Sequence, residues 1–221
     1  YRYEEFTKQN GKYERVWLDE KRILFIPEKQ IYIIGCEEVE TKQGHLIVTG
    51  MPLYKKIQKD NKTLTLDDTF KPADEFKGVK IVVHPFGKDG LGNYLAHHCH
   101  RFSNFDGWEV YNSTAELAIP GVLPFNANKK ASEYYLSELY EAYGHGYADL
   151  GACAFTDGHS VEVIGRSYTD LDLKNNISIE SLRNAMKLHK TLDNLHMEPA
   201  KWDALKHCYN MAKYMVFKEG A

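Results

Sequence analysis

Short apolar runs that alternate with helical patterns are the feature of this sequence that most constrains its fold. Five runs have the length of a strand, at 31–34, 45–49, 79–83, 107–111 and 150–155. Segments 129–143 and 178–189 instead carry apolar residues at helical spacing. Strands of four to six residues that alternate with helices predict an α/β protein with a mainly parallel sheet.

The run A-F-T-D-G-H at 154–159 places Asp157 and His159 two residues apart, just beyond the last apolar run. Strand side chains repeat every two residues, so both side chains are expected to point into the same cleft. A carboxylate and an imidazole are suitable ligands for a divalent transition metal. The triplet is too short to predict a metal site by itself, and its weight depends on the other strand ends.

Other predicted strands also end or begin with residues that can bind a metal. Glu37 and His84 each follow an apolar run closely, and His45 opens another. In α/β folds the ligands gather at the carboxyl ends of parallel strands. Together with Asp157 and His159, these residues predict a metal site at one end of the sheet.

Five short motifs occur in a set order along the chain. They are G-C-E at 35–37, G-H-L-I-V-T-G at 44–50, V-V-H-P at 82–85, D-G-W-E-V-Y-N at 106–112 and T-D-G-H at 156–159. This order resembles that of the PHP (polymerase and histidinol phosphatase) domain phosphoesterases, which are similar in having G-x-E, a following histidine, H-P and a late S-D-A-H. The resemblance covers about residues 31–190, and its specificity lies in the ordered set.

The resemblance implies a distorted (β/α)7 barrel of PHP type that holds two or three divalent metal ions, Mn, Zn or Fe, at its mouth. Carried over position by position, the metal ligands would be Glu37, His45, His84, Asp157 and His159. His84 or His159 would also act as a catalytic residue that assists the leaving group. Asn112 and Arg166 are the candidate substrate-binding residues, with Arg166 meeting a substrate phosphate.

The family opens with an H-x-H motif, whereas the first 34 residues of this chain contain no histidine. We therefore expect the N-terminal strands of the barrel to be absent from this chain and an upstream segment to supply them, because a barrel without them would expose an open sheet edge. The chain is expected to be a single PHP-like domain over 1–221, with the motif-bearing barrel at 31–190. An amphipathic helix at 194–221 would dock on the barrel or on a partner subunit in an oligomer.

The predicted function is metal-dependent hydrolysis of a phosphoester by metal-activated water. The substrate would be a small phosphomonoester or a nucleotide-type phosphoester, whose charge clustered divalent ions neutralise. Two alternatives stay open: a metal-dependent amidohydrolase, and a degenerate PHP domain that serves as a non-catalytic interaction or regulatory module. The lack of H-x-H in the first 34 residues favours the module.

Composition restricts the partners. A net charge of −3 and a pI near 6.4 argue against binding of bulk nucleic acid, for which a basic surface is expected. No apolar run approaches the ~20 residues that span a bilayer, so no membrane partner is expected. Four scattered cysteines without a C-x-x-C motif predict reduced thiols and a cytoplasmic protein.

Two further segments are rich in histidine or in glycine. The run L-A-H-H-C-H-R at 95–101 is interpreted as a helix or loop near the cleft, with a second metal site as the alternative. The glycine-rich run 87–92 lacks the spacing of a phosphate-binding loop. It is interpreted as a flexible loop after H-P.

Overall fold

The computed structural model describes residues 13–52, 55–58, 62–116, 127–140, 149–158, 164–173, 177–187 and 191–198. Within these ranges the strands are β1 (Val16–Leu18), β2 (Ile23–Ile26), β3 (Ile31–Ile34), β4 (Cys36–Thr41), β5 (Gly44–Thr49), β6 (Val79–Val82), β7 (Gly107–Asn112), β8 (Gly151–Phe155), β9 (Ser167–Thr169) and β10 (Leu195–Met197). The α-helices are α1 (Leu66–Glu75), α2 (Gly92–Ala96), α3 (Ala127–Tyr134) and α4 (Ile179–Met186), and a π-helical stretch, Tyr135–Tyr140, continues α3. Short 3-10 turns lie at Asp19–Lys21, Pro27–Lys29, Cys99–Asn104, Thr114–Glu116 and Leu192–Asn194.

The main sheet is open and mixed, with the strand order β4-β5-β6-β7-β8. The pairs β4–β5 and β5–β6 are antiparallel, and only β6–β7 and β7–β8 are parallel. The remaining strands form two small antiparallel sheets, β1-β2-β3 and β9-β10. The predicted (β/α)7 barrel is therefore wrong, because the described strands do not close into a barrel and half of the main pairings are antiparallel.

The physical reason lies in the connection between β4 and β5. Only Lys42 and Gln43 separate these strands, and a connection this short permits a hairpin but not a parallel crossover. The sequence C-E-E-V-E-T of β4 has too few apolar residues to be recognised as a strand by its apolar pattern. The run 31–34 was expected to carry Glu37 at its end, but it belongs to a different sheet.

Gly35 separates the two sheets. Its carbonyl oxygen accepts hydrogen bonds from Gly50 N at 2.7 Å and from Met51 N at 3.0 Å. A Cβ atom at this position would lie 2.8 Å from the carbonyl oxygen of Met51. Only glycine permits this close approach, which ends β3 and starts β4 in a new direction.

The main sheet has a hydrophobic core on each face. One face packs against α1, α2 and α3 and includes Leu46, Val82 and Trp108. The other face carries Ile81 and Cys153 and packs against the apolar side chains of α4, which are Ile179, Leu182 and Met186. Helix α4 begins at a capping box formed by Ser178 and Ser181, within the segment predicted to be helical.

Both edges of the main sheet have hydrogen-bonding partners. On the β8 edge, Thr169 Oγ1 lies 2.9 Å from the Ala154 nitrogen, which donates to it, and 3.2 Å from the Ala154 oxygen, which accepts from it. On the β4 edge, Lys42 N donates to the Leu64 oxygen at 2.8 Å. The chain therefore protects the edges of an open sheet by local contacts rather than by closure.

The segment 194–221, predicted as an amphipathic helix, begins differently. Residues 195–197 form β10, which pairs with β9, and residues 199–221 lie outside the described part of the chain. None of the helices in the described ranges combines the length and the apolar character needed to cross a bilayer.

Candidate metal centre

The side chains of Glu38, His45 and His84 converge on one point. Glu38 Oε1 lies 3.1 Å from His45 Nδ1 and 3.2 Å from His84 Nε2. The candidate ligand atoms of the three residues all lie within 4.8 Å of one another, and the two imidazole centroids are 5.4 Å apart. Ligands of a tetrahedral zinc ion are roughly 3.3 Å from each other, so this spacing fits a single ion.

Strand register explains why these residues meet. Glu38 pairs with Ile47 and Glu40 pairs with His45 across the β4–β5 hairpin. Because side chains alternate along a strand, Glu38 and His45 lie on the same face of the sheet. His84 follows β6, which is the next strand of the sheet.

Glu37, the carboxylate predicted as a ligand, lies on the opposite face of β4. Its Oε2 accepts a hydrogen bond from Ile57 N at 2.7 Å, and its Oε1 accepts one from Gln58 N at 2.9 Å. These contacts fix the segment 55–58 against the sheet. The neighbouring Glu38 takes the position that the sequence assigned to Glu37.

His84 is directed into the site by a tight turn after β6. Its φ of 30° lies in the left-handed region, which non-glycine residues rarely adopt. The carboxylate of Glu109 accepts a hydrogen bond from His84 N, and the His84 oxygen accepts one from Gly87 N at 2.7 Å. A Cβ atom at Gly90 would lie 2.1 Å from the His84 oxygen, so the glycine-rich run packs closely against this turn.

A cavity of about 250 Å³ is lined by two of the three converging residues, Glu38 and His84. It opens at the carboxyl ends of β6, β7 and β8. Its lining comprises Glu38, Ile47, Val83, His84, Glu109, Asn112, Phe155, Thr156 and Asp157. Three of these residues carry carboxyl groups, and no lysine or arginine occurs among the described lining residues.

Asn112 and Asp157 interact with each other inside this cavity. Asn112 Nδ2 donates to Asp157 Oδ2 at 3.2 Å, while Asn112 Oδ1 accepts from Thr114 N at 2.9 Å and from Ala115 N at 3.0 Å. Asn112 is 1% exposed. Its side-chain oxygen and nitrogen therefore have partners within the protein, and its contact with a substrate stays a prediction.

The electrostatics of the cavity favour a bound cation. Burial raises the pKa of Glu109 to about 8, and the Asp157 carboxylate adds to the rise, although the hydrogen bond from His84 N and the charge of His84 oppose it. The hydrogen bond with His84 lowers the pKa of Glu38. Burial lowers the pKa of His84, but contacts with Glu38, Glu109 and Asp157 outweigh burial and raise it. The neighbouring carboxylates thus favour the charged form of His84, whereas burial favours the protonated form of Glu109.

The other predicted residues do not join this group in the described part of the chain. His159 lies in 159–163, outside the described residues. Arg166 Nη1 is 3.7 Å from Glu198 Oε2, and Arg166 does not line the cavity.

The histidine-rich run 95–101 does not bring its ligand atoms together. His98 Nδ1 lies 2.8 Å from the Tyr94 oxygen, and the two rings stack with centroids 4.1 Å apart. Across the described ranges, Glu38, His45 and His84 are the one convergent group of three metal-binding side chains. The alternative of a second metal site in this run therefore has no support in the geometry.

Two residues of the site were missed by reasoning from the sequence. Glu37 was predicted as the ligand instead of Glu38. A strand assignment for C-E-E-V-E-T would have placed these two carboxylates on opposite faces of the sheet. Glu109 lies inside the otherwise apolar run G-W-E-V-Y, and it is 2% exposed. A charged residue at a buried strand position is itself a signal of function, because burial of a carboxyl group is costly.

Comparisons with known proteins found no relatives from which function could be inferred. Protein-family models, curated proteins and solved structures each gave no match to this chain. The resemblance to PHP phosphoesterases therefore stays a prediction, and function is inferred from the geometry of the site.

Proposed function

We propose that this protein binds a divalent transition metal through Glu38, His45 and His84 and hydrolyses a phosphoester in the adjoining cavity. The observation that carries the proposal is the convergence of one carboxylate and two imidazoles beside a cavity. Three protein ligands that leave a coordination position open are typical of catalytic metal sites, whereas structural sites are closed. The ordered motifs that resemble PHP phosphoesterases favour the same chemistry.

The donor set suits Zn, Mn or Fe. Imidazole nitrogen is preferred by the borderline metals, and carboxylate oxygen is compatible with them and with harder ions. Asp157 lines the same cavity and is proposed as a further ligand of an ion with more than four coordination positions, such as Mn or Fe, so that one position stays open for the substrate. Glu38, which accepts from both imidazoles in the described structure, would exchange these hydrogen bonds for the metal.

The charge of the cavity explains why a metal would be required. Glu38 and Asp157 would repel a phosphate group, and no basic side chain among the described lining residues offsets them. A divalent ion supplies the positive charge that a phosphoester needs before a nucleophile can approach it. The side chains of Ile47, Val83 and Phe155 form an apolar wall that limits access of bulk water.

The size of the cavity favours a small substrate. Its volume of about 250 Å³ lies below the about 300–1,000 Å³ that is usual for pockets that enclose drug-sized ligands. A phosphate group with a few neighbouring atoms fits this space, as in a small phosphomonoester or at the end of a nucleotide. The rest of a larger substrate would remain outside.

The test measures metal binding and hydrolysis in the same preparations. Binding of Mn²⁺ and Zn²⁺ is followed by calorimetry, and hydrolysis of p-nitrophenyl phosphate and bis(p-nitrophenyl) phosphate is followed with and without each metal. His84→Ala and Asp157→Ala should lose metal and activity while keeping the wild-type circular dichroism spectrum. His97→Ala, at an exposed histidine outside the cavity, is the matched control and should behave as wild type.

Two outcomes would contradict the proposal. If the wild-type protein binds neither metal, the proposed metal site does not exist. Full activity in either His84→Ala or Asp157→Ala would show that the substituted residue is not required at the site. Tight metal binding without hydrolysis of either ester would favour the non-catalytic module instead.

A further inference from the structure

Two residues of the cavity share an unusual backbone conformation. His84 has a φ of 30° and Asp157 has a φ of 51°. Residues with a β-carbon keep positive φ values only where the surrounding structure holds them there. His84 follows β6 and Asp157 follows β8, so the two residues lie on either side of the central strand β7.

Both residues are held by side chains of β7. Glu109 accepts the hydrogen bond from His84 N, and Asn112 Nδ2 donates to Asp157 Oδ2 at 3.2 Å. The orientation of the Asn112 amide is fixed, because its oxygen already accepts from two backbone nitrogens, those of Thr114 and Ala115. The nitrogen of this amide must therefore face Asp157.

A β-bulge allows one strand to make both contacts. Glu109 pairs with Cys153, but the next paired residue is Tyr111 with Ala154, so Val110 is an extra residue in β7. In a regular strand, residues three positions apart point to opposite faces. The extra residue turns Glu109 and Asn112 toward the same cavity.

We propose that Glu109 and Asn112 are positioning residues through which the bulged strand β7 sets the directions of His84 and Asp157. Contacts behind metal ligands orient those ligands, and their loss typically weakens metal binding. The effect on metal binding rests on the proposed function. The two contacts themselves exist without a metal and can be tested without one.

Four variants separate positioning from general stability. Glu109→Gln keeps an oxygen that can accept from His84 N, whereas Glu109→Leu fills a similar volume without an acceptor. Asn112→Asp keeps the acceptor for the two backbone nitrogens and replaces the donor that faces Asp157 and Glu109 by a carboxylate oxygen, which repels the Asp157 carboxylate. Val48→Ala is the control, because Val48 is buried in the hydrophobic core on the opposite face of the sheet and lies outside the bulge.

Calorimetry with Mn²⁺ and Zn²⁺ gives the first readout. Glu109→Leu and Asn112→Asp should weaken metal binding by about 10- to 100-fold, and Glu109→Gln should restore nearly wild-type affinity. Val48→Ala should lower the urea midpoint and leave metal affinity unchanged. In an Asp157→Ala background, Asn112→Asp should cause no further loss, because Asn112 acts through Asp157. Additive losses in this double variant, or wild-type affinity in both Glu109→Leu and Asn112→Asp, would overturn the inference.

Crystal structures of the metal-free variants give the second readout. We expect the His84 imidazole to be displaced in Glu109→Leu and the Asp157 carboxylate to be displaced in Asn112→Asp. Unchanged positions of both would overturn the inference, whether or not the wild-type protein binds metal. Displacement in variants of a protein that binds no metal would uphold the inference and overturn the proposed function. If Glu109→Leu does not fold, the position of the Asp157 carboxylate in Asn112→Asp decides the question.

Discussion

The carboxylate of Glu38 and the imidazole of His84 lie 3.2 Å apart, although 46 positions separate them in the sequence. Glu38 stands on β4 and His84 follows β6, and β5 with His45 lies between them. Glu37, the immediate neighbour of Glu38, points to the other face and holds backbone nitrogens of the segment 55–58. Adjacent carboxylates of one strand thus have separate roles.

These separate roles can be tested with matched substitutions. Glu38→Gln should weaken Mn²⁺ or Zn²⁺ binding by more than about 100-fold, because it removes a charged ligand. Loss of a residue that only orients a ligand costs about 100-fold at most. Glu37→Gln should leave metal affinity unchanged and lower the free energy of unfolding by about 1–3 kcal/mol, since an amide nitrogen that cannot accept replaces one of the two oxygens that bind Ile57 N and Gln58 N. Calorimetry and urea unfolding measure the two effects. The reverse pattern would restore Glu37 as the ligand.

The Glu38–His84 pair should stabilise the metal-free protein within a limited pH range. The raised pKa of His84 means that its contribution is complete below the ordinary histidine value of about 6.5 and is lost as pH rises through the raised value. The lowered pKa of Glu38 means that its contribution is present above about 4.3 and is lost as pH falls through the lowered value. Glu38→Gln should therefore destabilise most between about pH 4.3 and 6.5.

Urea unfolding with a chelator present, at a series of pH values, checks this prediction. Glu75→Gln, at an exposed position on α1, controls for the loss of one negative charge. A cost of Glu38→Gln that does not vary with pH would show that the pair is not ionised in the folded protein.

Glu109 should make the metal-free protein less stable as pH rises. Its folded pKa of about 8 exceeds the ordinary value of about 4.3, so the folded state retains a proton that the unfolded state has lost between these values. The free energy of unfolding should fall through this window by at most about 1.4 kcal/mol per pH unit from this group. Glu109→Gln removes the titration, so its stability relative to wild type should increase across the window and level off above it.

The measurement is a series of urea midpoints for wild type and Glu109→Gln at matched pH. Asp106→Asn would not serve as a control, because Asp106 binds Lys80 N and Arg183. Glu75→Gln again offers an exposed carboxyl group. A constant difference between Glu109→Gln and wild type would mean that Glu109 is ionised throughout.

Thr169 should protect the edge of β8. Thr169→Val keeps the shape of the side chain and removes both hydrogen bonds to Ala154, so we expect a loss of about 1–3 kcal/mol in the free energy of unfolding. Thr169→Ser keeps the hydroxyl group and is the matched control. Light scattering of partly unfolded samples should rise for the valine variant only, because an unpaired edge strand recruits other chains.

The sequence was informative where a pattern is local. The apolar runs at β3, β5, β6, β7 and β8 and the helical segment that contains α4 were recognised from spacing alone. His84 and Asp157, two of the residues selected at strand ends, line one cavity, and His45 converges with His84, while their role as ligands stays a prediction. These features depend on a few consecutive residues, so a single chain is enough to indicate them.

Other features depend on which strands pair and in what register, and the sequence alone does not show this. The choice between Glu37 and Glu38 requires the register of β4 on β5, and β4 has too few apolar residues to reveal itself as a strand. The barrel was expected by analogy with a family, whereas the short β4–β5 turn imposes an antiparallel start to the sheet. The bulge at Val110 follows from pairing with β8, and it has no signature in the sequence.

The bulged strand β7 also bears on how the protein could be monitored as it folds. The β4–β5 hairpin can bring Glu38 and His45 together from local chain alone, but His84 is aimed by Glu109, and Asp157 by Asn112, across 25 and 45 positions. Contacts between such distant segments form late, after the loops between them have been closed. High-affinity uptake of Zn²⁺ would therefore report completed assembly of the sheet, and a fluorescent zinc competitor could follow refolding in real time.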